Sequence, residues 1–332
     1  MRAAVAKLRG AWPQLSALIL MLVIDWLIFP SFFQLRLVDG RLTGSLVDVL
    51  VRGAPVALLA LGMAGVIATR GIDLSVGAIM AIAGAVAATS IAGGSPWYVA
   101  VLLALLAGMA CGIWNGTLVA IFGVQPIIAT LVLMVAGRGI AQLITSGQIT
   151  TFVDPQFAAI ASGSTVGIPV PILIAVATAA ILGILTRSTA LGLMIRAIGI
   201  NPGAADLVGI HRQGITFAVY VTSGITAALA GLIVAADIRG ADANNAGLWL
   251  ELDAILVVVL AGASLLGGRL SYGLTLLSAI TLQALKTGIL LAGLPPQMTL
   301  ILMAVAVSLL LAIQAPATQQ WLAQSARRRA AA

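Results

Sequence analysis

One cysteine and one histidine in 332 residues remove several chemistries at once. Cys111 alone supports no internal disulfide framework and no thiolate metal cluster, and His211 alone removes most zinc chemistry. Charge is equally scarce: 8% of residues are Asp, Glu, Lys or Arg, against roughly 25% in a soluble domain. No G-x-x-x-x-G-K-[ST] phosphate loop occurs. Lys286-Thr287 follows Leu285 inside an apolar stretch, so any ATP hydrolysis would have to occur on another chain. No linker, charge block or low-complexity tract divides the chain, and 1–332 reads as one domain. No cleavable signal peptide is expected, since Arg2, Lys7 and Arg9 precede an apolar run too long for a signal core, with no small-residue cleavage site after it.

What the chain has is apolar length. Hydrophobic residues make up 61% and mean hydropathy is +1.15, so the surface is built to face lipid. A bilayer core needs roughly 20 apolar residues of helix, because lipid offers no partner to backbone N–H and C=O groups. Ten stretches qualify: 14–33, 47–69, 72–92, 97–122, 126–146, 169–186, 214–236, 247–267, 270–292 and 297–314. The expected fold is an all-α integral membrane protein, a polytopic bundle of about ten transmembrane helices. With the N-terminus in the cytoplasm, inner segments hold Arg2, Lys7, Arg9, Arg70, Arg187, Arg196, Arg212, Arg269 and Arg327–Arg329. Outer loops hold only Arg36, Arg41 and Arg239, while Arg52 sits near an outer helix end and Arg138 and Lys286 fall inside helices. This bias fits both termini inside. It also accounts for the net charge of +7 without a nucleic-acid partner. Connections 34–46, 147–168 and 237–246 would then face outward and 187–213 the cytoplasm.

Small residues four apart (Gly108, Gly112 and Gly116; Ser223, Ala227 and Gly231) mark close helix packing. In Gly71-Ile72-Asp73-Leu74-Ser75-Val76-Gly77, Asp73 is either an N-cap for the next helix or part of a helix break lining a transport path. In the inner loop, Asn201-Pro202 opens a short helix of about eight residues that Gly209 can end. A helix that short needs support. Either it rests on lipid, or it docks on a partner protein. Ala204, Ala205, Leu207 and Val208 around Asp206 suit anionic lipid poorly and favour docking. The stretch 237–253 is the most polar part of the chain after its ends, placing Asn244, Asn245, Trp249, Glu251 and Asp253 near an outer mouth. Glu251 and Asp253 lack an accompanying nucleophile or histidine for acid–base chemistry. Helix capping or binding of a polyhydroxylated ligand or carrier protein fits them better. Arg138 and Lys286, with Asp25 a weaker case, are intramembrane charges expected to face the bundle interior or an aqueous cavity. Asp25, Glu251 and Asp253 are candidate partners for the two cations.

Gly71–Gly77, Thr130 to Gly147 with Arg138-Gly139 between, Arg196–Ile210, and Glu251–Ala254 with Gly267-Gly268 resemble the permeases of ribose-type sugar ABC importers, in order and over nearly the whole chain. Met134–Ile149 and Ala235–Ala254 are most similar to the galactofuranose branch. One departure is Leu260-Ala261-Gly262-Ala263-Ser264, where the family pattern runs toward a Gly-Gly pair, so extra methyl groups crowd the packing. The resemblance implies a subunit of a bacterial inner-membrane importer that makes no covalent bond. Its partners would be a cytoplasmic ATP-binding subunit, a second and different permease chain, and a periplasmic sugar-binding protein. It assigns Arg196, Gly199, Asn201, Pro202, Ala205, Asp206 and Gly209 to the loop that docks on the ATPase. Asp73, Ser75, Arg138, Asn244, Asn245, Trp249, Glu251 and Asp253 would belong to the path or its mouth. A permease for ribose, xylose or an autoinducer sugar, a self-sufficient secondary transporter or channel, and a membrane-embedded enzyme are the rivals. The chain has too few intramembrane carboxylates for the transporter and no clustered nucleophile, histidine pair or metal set for the enzyme.

Overall fold

A computed structural model describes residues 2–29, 33–38, 41–293 and 296–314. The expected inner tail with Arg327–Arg329 lies outside them. The described residues form thirteen α-helices joined by short strands. In order, α1 is Arg2–Ile28, α2 Ser45–Ala68, α3 Val76–Ala92, α4 Trp97–Gly116 and α5 Pro126–Ile144. Then come α6 Pro155–Ser162, α7 Val170–Ser188, α8 Leu191–Ile200 and α9 Pro202–Leu207. α10 Arg212–Ile238, α11 Leu250–Leu260, α12 Tyr272–Leu291 and α13 Pro296–Gln314 complete the chain.

Among the described residues, six helices are long and apolar enough to cross a membrane: α2, α4 with its continuation to Ile121, α5, α7, α10 and α12. The segment Trp12–Ile28 of α1, α3 and α8 are shorter apolar helices. The stretch 247–267, expected as one full span, is helical only over the eleven residues of α11. At 1.5 Å per residue this is roughly 16 Å, about half a bilayer core. The cause is local: Gly262, Gly267 and Gly268 all adopt positive φ, which ends the helix and turns the chain before α12.

Packing follows the small residues. α2, α3 and α10 form the centre, with Leu58, Leu59, Leu61 and Met63 wholly buried. A Cβ on Gly108 would lie 2.6 Å from the Gly224 carbonyl oxygen, and one on Gly112 2.6 Å from that of Tyr220. These contacts seat α4 directly against the backbone of α10, as small-residue spacing in lipid allows. On another face of α10, Gly231 meets the backbone of Met80 in α3. Outward faces are apolar: Val135, Leu143 and Ile184 are largely exposed, as suits a lipid boundary.

The three connections assigned outward meet at one end. β1 (Thr150–Thr151) pairs antiparallel with β2 (Gly240–Ala241), joining 147–168 to 237–246. The N–H of Leu42 donates to the Gly167 carbonyl at 3.2 Å, joining 34–46 to the same group. At the opposite end, the tip of α8 meets the end of α2 and the α11–α12 connection. Gly268 N–H donates to Ala68 O at 3.0 Å, Arg70 Nε to Gly199 O at 2.7 Å, and Arg70 Nη2 to Ile200 O at 2.6 Å. The contact is so close that a Cβ on Gly199 would lie 2.0 Å from Ala68 O and 2.2 Å from Gly268 N.

Candidate translocation site

Two helices begin inside the bundle, and their starts face each other. The chain is unwound from Gly71 to Asp73 before α3 begins at Val76. At the other start, Gly247 (φ 71°) and Trp249 (φ 64°) turn the chain into α11. The two meet at Gly77 and Gly247, where a Cβ on either would lie 2.3 Å from the other's carbonyl oxygen. Glu251 lies beside the same contact. Both N-terminal ends therefore bring partial positive charge to one region, and carboxylates are placed there.

Asp73 is fully buried and is not the N-cap of α3; Ser75 holds that position. Asp73 Oδ1 accepts from the Ser75 N–H at 3.0 Å and the Ser75 hydroxyl at 2.6 Å. Its Oδ2 accepts from the Ser223 hydroxyl at 2.8 Å, near the middle of α10. Asn115 Nδ2 donates to Ser75 Oγ at 2.8 Å, and the Thr130 hydroxyl to Ile72 O at 3.1 Å. The unwound segment is thus pinned from α4, α5 and α10. Of the two sequence readings of Asp73, capping survives in part, through the Ser75 N–H, and the helix break is present in the backbone. Two neighbouring buried groups, Asn115 Oδ1 and the Tyr220 hydroxyl, have no partner among the described residues. Asn115, Thr130 and Ser223 were not singled out as site residues from sequence. An amide within an apolar span was the available signal for Asn115.

Around α11, Glu251 and Asp253 are buried, at 7% and 8% exposure, rather than standing at an open mouth. Lys286 on α12 makes its ion pair with Asp253, which selects one partner from the sequence candidates. Arg138 instead donates to the backbone carbonyls of Ala243 and Ala246, close to Glu251. Asp25 is buried against Gly288 and pairs with neither cation. Gln142 Nε2 donates to Asn244 Oδ1 at 2.8 Å on an exposed rim with Asn245 and Trp249, which is 66% exposed. Asp242 organises that turn, accepting from Asn245 Nδ2 at 2.7 Å and from the N–H groups of Asn244 and Asn245. These bonds, the Asn245 amide first, hold its carboxyl below the usual carboxylate range. Among the described residues no cluster of His, Cys, Asp and Glu could hold a metal ion.

In the inner connection, the short helix expected after Asn201-Pro202 is α9, and a further helix, α8, precedes it. Asn201 caps α9, its Oδ1 accepting from Ala204 N at 3.1 Å, and Pro202 takes the first turn. α9 spans six residues, fewer than expected, and Gly209 follows it at φ 79°. Ala205 is buried, Asp206 pairs with Arg212 at 3.6 Å, and Arg196 is exposed on α8. Leu207 and Val208 stand 89% and 75% exposed at the tip of a segment clamped at Gly199.

Interrupted helices that meet among buried carboxylates, inside a bundle with an apolar exterior, define a membrane transport protein. The chain belongs to the permease family described as "Branched-chain amino acid transport system / permease component", whose model matches residues 45–313. It is 55% identical to the galactofuranose transporter permease protein YtfT of Escherichia coli, over 93% of this chain and 92% of that one. It is 40% identical to the fructose import permease protein FruF of Bifidobacterium longum, over 88% and 83%. Against the ribose import permease protein RbsC of Escherichia coli the identity is 36%, over 89% and 90%. No solved structure matches the chain.

Proposed function

We propose that this chain is one of two pore-forming permease subunits of an ATP-driven sugar importer in the bacterial inner membrane, with galactofuranose as its sugar. It crosses the membrane ten times with both termini in the cytoplasm, counting α1, α3, the α11 segment and α13 among the spans. The supporting observation is the clamped α8–α9 unit. Arg70 and the Gly199–Gly268 contact fix it to the end of α2 and the α11–α12 connection, while Leu207 and Val208 remain uncovered at its tip. Such a lever transmits force only if another protein grips it. That protein would be the ATPase carrying ATP and Mg. A different permease chain would complete the path, and the outer loops joined through β1 and β2 would receive the periplasmic binding protein. Asp73 and Ser75 with Arg138, Glu251 and Asp253 would line or brace the path. Asn244, Asn245 and Trp249 form its rim, with carboxamides to bond sugar hydroxyls and an indole face to cover a sugar ring. The galactofuranose, fructose and ribose relatives support the sugar class.

The test is labelled-sugar uptake into proteoliposomes. The chain alone should give none, and the chain with ATPase, second permease and binding protein should give ATP-dependent uptake. Galactofuranose should compete better than ribose, fructose or xylose. Robust uptake by the chain alone would favour a secondary transporter, and a preference for another pentose or hexose would reassign the sugar.

A further inference from the structure

The N-terminus of α12 opens between two cavities at the arginine-bearing end of the bundle. One, of about 510 Å³, lies between α1, the end of α11 and α12, and includes Gln14, Arg196, Arg269 and Ser271 in its lining. The other, of about 690 Å³, lies between α7 and α12 and includes Arg187, Arg196 and Ser271. They share Arg196, Leu270 and Ser271, so they flank the first turn of α12 from both sides. No acidic side chain lines either. Arg187, Arg196 and Arg269 have no carboxylate partner among the described residues; the ion pairs there are Arg212–Asp206 and Lys286–Asp253. Ser271 is the N-cap of α12 but its side chain makes no capping bond, and the N–H groups of Tyr272, Gly273 and Leu274 find no acceptor among the described residues. Gln14, 7% exposed and lining the first cavity, has an Oε1 with no hydrogen-bond partner.

We infer that these paired cavities bind the headgroup of an anionic phospholipid, phosphatidylglycerol being the species they fit. Free helix N–H groups, an unengaged serine hydroxyl and guanidinium groups are the donors that hold a phosphodiester. Basic pockets between helices are where anionic headgroups dock. Gln14 Oε1 is an acceptor, useless to a phosphate but suited to the glycerol hydroxyls of phosphatidylglycerol. The wall of the second cavity is apolar, with Val176, Ala179, Ile184 and Leu276, as an acyl chain requires. An acidic protein segment would have no use for that wall. The site is separate from the proposed path and stands whichever sugar is carried.

The test is native mass spectrometry of the delipidated full-length permease, first without its ATPase and then with it added. Phosphatidylglycerol, phosphatidylethanolamine of matched chains, and glycerol phosphate are titrated separately. Phosphatidylglycerol should be retained preferentially, with about fivefold loss of binding for each of Arg187→Gln and Arg269→Gln. Arg52→Gln, on another helix, should change nothing. Ala180→Trp leaves every charge in place and fills the apolar side of the second cavity, so it should also weaken binding. Equal retention of the two phospholipids, unchanged binding in the arginine and tryptophan variants, or equal occupancy by glycerol phosphate would each overturn the lipid assignment. So would complete displacement of phosphatidylglycerol when the ATPase is added, which would give the cavities to a subunit contact.

Discussion

Replacing Gly199 by alanine adds one methyl group at the tightest point of the structure. Its Cβ would sit 2.0 Å from Ala68 O, 2.2 Å from Gly268 N and 2.8 Å from Gly268 Cα, all backbone atoms. Ordinary contact begins at 3.4 Å, so relief requires a separation of about 1.4 Å between α8 and the ends it touches. Two hydrogen bonds span that seam, from Arg70 to Gly199 O and Ile200 O, and a third, from Gly268 N–H to Ala68 O, joins the two ends that α8 touches. Overpacking costs about 1–3 kcal/mol, and hydrogen bonds to a charged group about 1.5–3 kcal/mol each when buried. Because the Arg70 bonds are partly exposed, water replaces much of their value. A net loss of about 3 kcal/mol is expected, concentrated at α8. The protein should insert, melt several degrees lower in detergent and lose most ATP-dependent uptake. Gly203→Ala is the matched control, since its Cβ would meet nothing nearer than Asn201 Oδ1 at 3.6 Å. Wild-type uptake and melting in the Gly199 variant would refute the claim that this seam transmits force.

Further outcomes can be measured independently. Lys286→Met should destabilise the protein by about 3–5 kcal/mol by leaving Asp253 buried without its partner, and a Lys286→Met, Asp253→Leu double variant should recover much of this in denaturant titrations. Ser223→Ala removes one bond to the buried Asp73 carboxylate and should cost about 1.5–3 kcal/mol; no loss would mean that Asp73 is held by Ser75 alone. Trp249→Ala, at an exposed side chain, should leave melting unchanged and raise the sugar concentration needed for half-maximal uptake. For Asp242 the folded-state pKa lies below its unfolded value, so its contribution to the outer turn is complete above about pH 4 and is lost as acid protonates it. Hydrogen exchange at Asn244 and Asn245, corrected for intrinsic rate, should stay level from pH 7 to 5; a rise near pH 6 would contradict this.

Much of the helical layout was legible because lipid makes hydropathy a direct reporter of backbone state. The limits of 126–146 and 214–236, for example, lie close to α5 and α10. Asn201-Pro202 announced α9 through the same local chemistry that caps it. The stretch 247–267 misled because hydropathy counts apolar residues and is blind to the turn at Gly262, Gly267 and Gly268. The polar cluster was hidden for a different reason. Asp73 meets Ser223 across 150 residues, and Asn115 reaches Ser75 across 40. Nothing local to any one of them selects the others. Arg70 read only as a basic residue in a loop, whereas its positive φ of 67° turns it onto α8. Asp253 was one of three candidate anions, and only the packing of α11 on α12 chose it.

The seam at Gly199 also sets an order of assembly. Its contributors, Ala68 and Arg70, Gly199, and Gly267 with Gly268, come from three stretches far apart in the chain. A ribosome releases them in that order, so α8 emerges with one half of its socket missing. Until residues near 268 are made, α8 and α9 can rest against α2 but cannot be gripped from both sides. The segment proposed to meet the ATPase is therefore among the last to become rigid. A nascent or truncated permease would present it loose, and a chain ending before the α11–α12 connection should be selected against at assembly rather than at transport.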